Sequence, residues 1–256
     1  MKIEVVTLFP PMIHHALRFG VVGRAIASGR LAVGTEDPRA HTRDVHRTVD
    51  DRPYGGGPGM VLKPEPMLAA IRAAAARLPP GSPRVCLSAQ GGPFTQAVAR
   101  SLAALPGLLL VAGRYEGVDE RVIALGIDQE LSIGDYVLSG GEVPALAVID
   151  AVARLLPGVL GDERSSTLDS FSQGLLDWPH YTRPESFEGL EVPKVLRSGN
   201  HAEIERWRLV ESVARTWRRR PDLIRARTLS SEAQQILNEL LAETTAGGAD
   251  RGWMKQ

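Results

Sequence analysis

The stretch LLLVAGRYEGVDERVIALGIDQELSIGDYVLSGGEVPALAVIDAVARLL, from Leu108 to Leu156, decides the fold. It opens with four aliphatic residues, a run typical of a strand that is buried on both faces. Two glycine-rich elbows follow, at Gly113–Gly117 and Gly134–Gly141, and then a nearly all-apolar helix with Pro144 in its first turn. Each elbow alone is better explained as an ordinary strand-to-helix turn. Because glycine lets a backbone approach a ligand closely, the two together favour a pocket built from main chain.

Strands and helices alternate at short spacing on the N-terminal side of this stretch. The patterns predict strands over Lys2–Phe9, Leu31–Thr35 and Val85–Ser88, and helices over Ile13–Ser28, Glu65–Leu78 and Phe94–Leu105. Between the third strand and the third helix, Ala89–Pro93 has the composition of a turn. The alternation predicts an α/β fold with a mostly parallel sheet covered on both faces.

Composition limits the possible classes of protein. The 256 residues predict one main domain with an appendage, and the 43% hydrophobic content supports a sizeable core. The formal net charge of zero argues against nonspecific coating of nucleic acid but permits a local basic patch. A single cysteine, Cys86, excludes an intramolecular disulfide and a cysteine-based zinc site. The N-terminus does not resemble a signal peptide and no eighteen-residue apolar run occurs, so we expect a cytoplasmic protein without a membrane span.

The segment Glu36–Met60 has no periodic pattern, which predicts a long loop that is either a functional lid or a disordered segment. Its glycine run, Gly55–Gly59, is not followed by the Gly-Lys-Ser/Thr of a phosphate-binding loop. His41 and His46 have no obvious third ligand, so solvated loop histidines are favoured over a metal pair.

After Gly161 the sequence changes character. The run Asp162–Ser172 is polar and lacks a helical period, which indicates a mobile linker. Further on, Asn200 with Glu203 approaches a capping-box pattern at the start of a helix. An apolar stripe follows, in which the tryptophans are more typical of core anchors than of base-stacking surfaces: Ile204, Trp207, Val210, Ala214 and Trp217.

The C-terminal region is locally basic. Between His201 and Thr228 there are eight arginines and four acidic residues. The run Arg218–Arg220 at the predicted helix end suits RNA phosphates better than helix capping requires. A last amphipathic helix is predicted over Ser230–Glu243, and the residues after it resemble a frayed tail.

Five motifs, in one order, together resemble a known family. They are YGGGPGM at Tyr54–Met60, GRYEGVDERV and SIGDYVLSGGE in the two elbows, LLDWPHYTRP at Leu175–Pro184 and GNHAEIERWR at Gly199–Arg208. These resemble the bacterial tRNA (guanine-N1)-methyltransferases, S-adenosylmethionine (SAM) enzymes of the knotted SPOUT class. The resemblance covers the chain from Met1 to about Leu241.

The resemblance implies a deep trefoil knot on the C-terminal side of the α/β domain, which no spacing argument could reach because knots are rare. It also implies a domain order: a SAM-binding domain at 1–160, a flexible linker at 161–173, a helical tRNA-binding domain at 174–246 and a disordered tail at 247–256. A homodimer with a shared active site is implied as well.

The implied activity is methylation of N1 of the guanosine on the 3′ side of the tRNA anticodon, position 37. In the family the base is a linker aspartate and the cation an arginine on the helix after the second elbow, which fall on Asp169 and Arg154. From the residues alone, Arg154 is better explained as an ion pair with Asp150 four residues earlier. Asp169 alone is an ordinary linker acid, and Asp177 is its main competitor as the base.

Binding residues follow by motif. SAM contacts are expected from three turns: the first is Leu87–Gly91, the second is Gly113–Gly117, and the third is Ile133–Leu138 with Gly140 and Gly141. The residues expected to contact SAM in these turns and around the helix that follows are Leu87, Ser88, Gln90, Gly91, Gly113, Arg114, Tyr115, Glu116, Ser132, Ile133, Gly134, Tyr136, Leu138, Gly140, Gly141 and Pro144. RNA contacts are expected from Tyr54, Asp177, His180, Tyr181, Arg183, Asn200, His201, Arg208, Arg218, Arg219 and Arg220. The family suggests magnesium (Mg2+) as an activator, for which the sequence identifies no ligands.

Two features qualify these expectations. Where the family typically has tyrosine and proline in the first turn, this chain has Cys86 and Ala89, which should loosen the adenine wall without removing the backbone contacts. Two other functions also remain open: a knotted methyltransferase acting elsewhere on RNA, such as a ribose 2′-hydroxyl, and a noncatalytic RNA-binding protein that keeps SAM as a structural ligand.

Overall fold

A computed structural model describes residues 1–161, 169–225 and 229–246. The chain divides into two compact units, Met1–Glu163 and Arg164–Gln256. Most of the predicted linker and the whole predicted tail, 247–256, lie outside the described residues.

The N-terminal unit is built on a five-stranded sheet in which every pairing is parallel. The strands are β1 (Lys2–Val6), β2 (Ala32–Glu36), β5 (Arg84–Pro93), β6 (Gly107–Ala112) and β7 (Gln129–Ser132), in the order β2-β1-β6-β5-β7. Two short strands, β3 (Asp50–Asp51) and β4 (Val61–Leu62), pair with each other separately. The prediction of an α/β fold with a mostly parallel sheet is confirmed.

Strand β6 lies in the middle of the sheet, and all six of its residues are buried. Leu108 and Leu110 face one hydrophobic cluster, whereas Leu109 and Val111 face the other. Because successive side chains of a strand point to opposite faces, a strand covered on both faces must be apolar throughout. Each fully buried leucine contributes about 1.5–3 kcal/mol of transfer free energy.

Helices cover the two faces of the sheet. Helices α1 (Pro10–Ala16), α2 (Gly20–Ala27), α4 (Gln96–Ala103) and α6 (Glu142–Ala153) lie on the face of the first cluster. Helices α3 (Pro64–Ala75) and α5 (Glu120–Gly126) lie on the other face. Thr95 is the N-cap residue of α4, and its hydroxyl accepts a hydrogen bond from the Val98 amide.

Two sequence-based predictions in this unit are wrong, and two elements were missed. The single helix expected over Ile13–Ser28 is two helices, because the chain turns between them and Gly20 has a φ of +64°. The turn expected at Ala89–Pro93 is instead a continuation of β5, which pairs with β7 beyond a register shift between Leu87 and Gly92. Strand β7 and helix α5 were not predicted, although both belong to the unit.

The long segment after β2 is largely irregular, as predicted, and contains a short 3-10 helix at Pro38–His41. Its C-terminal end is attached to the first elbow, Gly113–Gly117. The Leu62 amide donates to the Gly117 carbonyl at 3.0 Å, and the Asp119 amide donates to the Leu62 carbonyl at 3.1 Å. The end of the segment is therefore a fixed neighbour of that elbow.

The C-terminal unit has its own small core. Helix α7 (His201–Arg219) packs against helix α9 (Ser231–Ala246) through Val213, Ala233, Ile236 and Leu237, and the short α8 (Pro221–Arg225) joins them in chain order. The Asn200 side chain accepts from the Glu203 amide, which confirms the predicted N-cap. A two-stranded hairpin, β8 (Ser186–Phe187) and β9 (Leu190–Glu191), and a 3-10 helix at Lys194–Arg197 precede these helices.

Among the residues that the structure describes, none of the helices has the length and apolar character needed to cross a membrane.

Candidate functional site

A pocket of about 320 Å³ lies where β5, β6 and β7 end at their carboxyl edges. Parallel strands place the loops that follow them at one edge of the sheet, where α/β proteins bind ligands. The volume falls at the lower end of the usual range for small-molecule sites. The pocket lining contains all of the predicted SAM-contact residues except Gly91.

The absence of Gly91 from the lining has a physical reason. A Cβ at this position would lie 2.4 Å from the Leu131 backbone nitrogen, so Gly91 allows β5 to pass closely beside β7. Its role is in strand packing. The same first turn is held by the Ser88 hydroxyl, which accepts from the Gln90 amide at 3.1 Å.

Cys86, at the inner wall of the pocket, is only 3% exposed. Burial, together with the negative charge of Glu130, raises the pKa of the Cys86 thiol to about 12. Because the thiolate is the nucleophilic form of cysteine, this side chain is chemically inert at neutral pH. A reactive electrophile in the pocket would not be attacked by it.

The first elbow places a residue in an unusual conformation. Tyr115 has a φ of +60° and is 53% exposed, and it lines the pocket. The next amide, that of Glu116, donates to the Met60 carbonyl at 2.9 Å. A Cβ at Gly59 would lie 2.3 Å from a carboxylate oxygen of Glu116, so the predicted loop segment passes directly against the Glu116 side chain.

The third turn is fixed by hydrogen bonds between near neighbours. The Gly134 amide donates to the Ser132 hydroxyl at 3.2 Å, and the Tyr136 hydroxyl donates to the Ile133 carbonyl at 3.3 Å. Gly141 then approaches the end of β6, and its amide donates to the Gly113 carbonyl at 2.8 Å. A Cβ on Gly141 would lie 2.6 Å from the Ala112 Cα, which leaves no room for a side chain.

The charged side chains of the pocket are mainly acidic. Glu116, Glu120 and Glu130 line it together with Arg114. Arg114, however, is paired with Glu142 through its Nε at 2.9 Å. A ligand with a positive charge therefore fits the electrostatics of the pocket better than an anion.

Sequence reasoning missed several lining residues. Val118, Glu120, Ile123, Glu130 and Leu131 belong to α5, β7 or the turn before α5, which were not predicted. Recognising Gln129–Ser132 as a strand would have found two of them. Glu142 and its hydroxyl partner Thr7 were also missed, and no local signal identifies them because they lie 135 residues apart in the chain.

The predicted catalytic residues fall in different units. Arg154 is the C-cap residue of α6 and is half-buried. Asp169 begins a turn in the C-terminal unit, where its carbonyl accepts from the Ser172 amide at 3.1 Å. The turn is held against the following segment, because Phe171 donates its amide to the Leu175 carbonyl and Ser170 accepts from the Asp177 amide. The last part of the predicted linker is thus hydrogen-bonded.

Asp177, the competing candidate for a base, has two hydrogen-bond donors. Its carboxylate accepts from the Trp178 amide at 2.8 Å and from the His180 Nε2 at 2.8 Å. Since a carboxylate only accepts, the Nε2 of His180 carries the hydrogen. These contacts assign Asp177 a role in shaping the segment around Trp178.

The predicted RNA-contact residues are mostly exposed. Tyr54 is fully exposed in the loop of the N-terminal unit. In the C-terminal unit, Arg208 lies over the Trp178 ring at 4.9 Å, and Tyr181 and Trp207 have ring centroids 6.4 Å apart. The others are exposed and lie shortly before the β8–β9 hairpin or at the ends of α7: Arg183, Asn200, His201, Arg218, Arg219 and Arg220.

Arg220 differs from its neighbours in the basic run. It pairs with Asp222 at 2.7 Å and lies over the Phe171 ring at 5.8 Å. The Arg220 guanidinium holds the pKa of the Asp222 carboxyl below its usual value. Arg218 and Arg219 are exposed at the end of α7, where cations are also favoured by the helix dipole.

Within residues 1–161, 169–225 and 229–246, no three His, Cys, Asp or Glu side chains are grouped as metal ligands. The described residues therefore offer no such cluster for the magnesium that the resemblance suggests.

The three segments that converge at the carboxyl edge of the parallel sheet define an α/β protein with a pocket of the size and place typical of small-molecule sites. The sequence model of one family, described as tRNA (Guanine-1)-methyltransferase TrmD, matches residues 1–226. The chain therefore belongs to the tRNA (guanine-1)-methyltransferase family.

Curated relatives agree with this assignment. A tRNA (guanine-N(1)-)-methyltransferase of Methylococcus capsulatus is 58% identical over 243 residues, which cover 95% of this chain and 97% of the relative. Proteins of the same name from Alcanivorax borkumensis and Cronobacter sakazakii are 56% and 55% identical, over 94% and 95% of this chain. They are covered over 93% and 95% of their own lengths.

Proposed function

We propose that this protein is a SAM-dependent tRNA (guanine-N1)-methyltransferase that modifies guanosine 37, next to the anticodon. One observation carries the proposal: in a member of this family, the three predicted turns line a single pocket at the carboxyl edge of the sheet. The relatives named for this activity match nearly the whole chain, including both units.

The residues of the pocket fit SAM. Gly140 and Gly141 line the pocket, and because they lack side chains the third turn can pack closely against Arg114 and the end of β6. The carboxylates of Glu116, Glu120 and Glu130 suit a cationic ligand. When bound, SAM supplies an electrophilic methyl group. The Cys86 thiol stays protonated beside it and does not compete with the RNA base for that methyl group.

Methylation at guanine N1 requires removal of a proton from that nitrogen. A carboxylate is a weaker base than the N1 anion by about five pK units, which corresponds to roughly 7 kcal/mol. The protein must therefore raise the basicity of the carboxylate or stabilise the negative charge that develops on O6. A cation directed at O6 meets the second requirement.

We assign the base to Asp169 and the cation to Arg154, by the family motif. The hydrogen bonds of Asp177 to the Trp178 amide and the His180 ring support this choice, because they commit the competing carboxylate to a structural role. We assign RNA phosphate contacts to the C-terminal unit, whose exposed Arg218 and Arg219 extend a locally basic helix.

The proposal also includes structural features that the family resemblance implies. They include a trefoil knot on the C-terminal side of the N-terminal unit and a linker at 161–173 between the SAM-binding and tRNA-binding domains. A tRNA substrate also supports a cytoplasmic location.

The direct test is to map the methyl group on an unmodified tRNA transcript incubated with SAM and protein. We expect 1-methylguanosine at position 37, and a transcript with adenosine at that position should remain unmodified. Two outcomes contradict the proposal. A methyl group on ribose indicates a different knotted methyltransferase, whereas SAM binding without methyl transfer to any RNA indicates a noncatalytic binding protein.

We also propose a homodimer with a shared active site. The outer face of α6 is apolar but only partly covered within the chain: Val143 is 48% exposed, and Ala147 is also exposed. An apolar helix needs cover on every side, and a second copy of the chain would supply it. In a shared site, Arg154 and Asp169 come from different subunits.

Complementation tests the shared site. Arg154→Ala and Asp169→Ala homodimers should both be nearly inactive. After mixing and reassembly, half of the dimers should be mixed and each should hold one intact site, which restores about a quarter of the wild-type sites. If subunit exchange is verified and the mixture stays inactive, the two residues act from one chain or one of them is misassigned.

A further inference from the structure

A buried carboxylate lies behind the pocket and contacts the elements that form it. Glu142, the first residue of α6, is fully buried. Its carboxylate accepts from the Arg114 Nε at 2.9 Å and from the Thr7 hydroxyl at 2.8 Å. Three segments that are distant in sequence therefore meet at one side chain: the end of β1, the first elbow and the start of α6.

We infer that Glu142 is a positioning residue that holds the second and third turns of the pocket in their SAM-binding geometry, with Arg114 as the connecting side chain and Thr7 as its anchor. The inference rests on the proposed function, because it concerns how that same pocket is prepared for SAM.

Arg114 links the two turns. It belongs to the first elbow, which is the second turn of the pocket, and its Nη1 donates to the Ser139 carbonyl in the third turn at 3.2 Å. Its backbone forms an isolated antiparallel bridge with Gly140. The guanidinium also lies 4.5 Å from the centre of the Phe9 ring, which orients its plane. Movement of Arg114 would therefore disturb both turns.

The glycine between these groups makes the arrangement tight. A Cβ on Gly140 would lie 2.3 Å from the Arg114 Nε and 2.8 Å from a Glu142 oxygen. The main chain of the third turn thus lies directly on the ion pair. An ångström of misplacement in such a support is enough to impair a preorganised site.

The charge of Glu142 is necessary for this role. A buried carboxylate is tolerated only when it is paired and hydrogen-bonded. Here the compensation comes from the Arg114 guanidinium, the Thr7 hydroxyl and the N-terminal end of α6, where negative charge is favoured. An apolar residue of similar size could fill the space, but it could not hold a guanidinium in one orientation. The carboxylate therefore specifies geometry more than stability.

Two substitutions test the inference on the full-length protein. Glu142→Gln keeps the size and one oxygen acceptor but removes the charge that holds Arg114. Thr7→Val removes the hydroxyl and keeps the side-chain shape. In both variants we expect calorimetry to show SAM affinity weakened by about tenfold to a hundredfold. The affinity for tRNA should stay unchanged, and the single-turnover rate at saturating SAM should fall by less than about threefold.

Thr7→Ser restores the hydroxyl and should bind SAM like the wild type. Glu4→Gln is the matched control for the loss of a buried carboxylate. Glu4 lies on β1, is 2% exposed and pairs with Arg77 at 2.7 Å. Neither Glu4 nor Arg77 lines the pocket. We expect Glu4→Gln to lower the melting temperature without changing SAM affinity, which separates positioning from general loss of stability.

The outcomes distinguish this inference from the proposed function. If the wild type binds no SAM, the proposed function is wrong. If the wild type binds SAM and the Glu142→Gln and Thr7→Val variants bind it equally well, the inference alone is wrong. It is also overturned if Thr7→Ser loses affinity as much as Thr7→Val, or if Glu4→Gln weakens SAM binding to the same extent. If Glu142→Gln fails to fold, the comparison of Thr7→Val with Thr7→Ser still tests the inference.

Discussion

Gly141→Val should abolish detectable SAM binding. The first atom of any side chain at this position would lie 2.6 Å from the Ala112 Cα, within the backbone of the central strand. Strand β6 is buried on both faces and cannot yield, so the third turn must move away from the pocket. The hydrogen bond between the Gly141 amide and the Gly113 carbonyl would be lost with it. Isothermal calorimetry should show an affinity reduced by a hundredfold or more.

Gly92→Val is the matched control for this substitution. Gly92 lies beside the same pocket but does not line it, and a Cβ there meets no atom within 4 Å. We expect this variant to bind SAM normally. Gly141→Ala adds only the clashing atom and keeps the test usable if Gly141→Val does not fold. Normal SAM affinity in folded Gly141→Ala would show that the third turn does not carry the ligand.

The parts of the fold that sequence predicted are those whose signals are local. The buried strand and its two elbows occupy one short stretch, and the apolar run, the glycines and Pro144 each restrict the backbone where they stand. The N-cap at Asn200 is equally local, since its side chain bonds an amide three residues away. Such features depend little on the rest of the chain.

The parts that sequence missed depend on distant partners. Strand β7 contains one buried aliphatic residue, Leu131, so its short segment has little hydrophobic pattern. It is a strand because β5 continues past Leu87 and pairs with it. The same pairing extends β5 through Gly91 and Gly92, whose composition alone predicted a turn. In both cases tertiary pairing outweighs local propensity.

The residues of the candidate site also divide into those with a local sequence signal and those that depend on distant partners. The turns that line the pocket were predicted from glycines and motifs, and of the residues predicted there only Gly91 lies outside the lining. Glu142 was overlooked because a single acid at the start of an apolar helix is ordinary in sequence. Its importance comes from Thr7 and Arg114, which lie 135 and 28 residues away. A buried ion pair is visible only once the fold brings its members together.

The residue that most directly tests the chemistry is Asp169. Asp169→Asn keeps size and polarity but cannot accept the N1 proton at neutral pH. The substitution keeps the hydrogen bonds that the surrounding turn makes through the Asp169 carbonyl, the Ser170 hydroxyl and the Phe171 amide. We therefore expect SAM and tRNA affinities to stay near wild type while single-turnover methylation falls by about a hundredfold or more.

The pH dependence of the Asp169→Asn variant distinguishes a lost base from a lost contact. As the pH rises, solvent hydroxide takes over removal of the N1 proton, so the rate of the variant should increase toward that of the wild type. A variant that has merely lost a binding contact would show no such recovery.

Asp177→Asn is the comparison variant. It weakens the contacts to the Trp178 amide and His180 and should affect tRNA affinity more than the rate at saturation. Near-normal turnover in Asp169→Asn, together with a pH-rescued loss in Asp177→Asn, would transfer the role of base to Asp177.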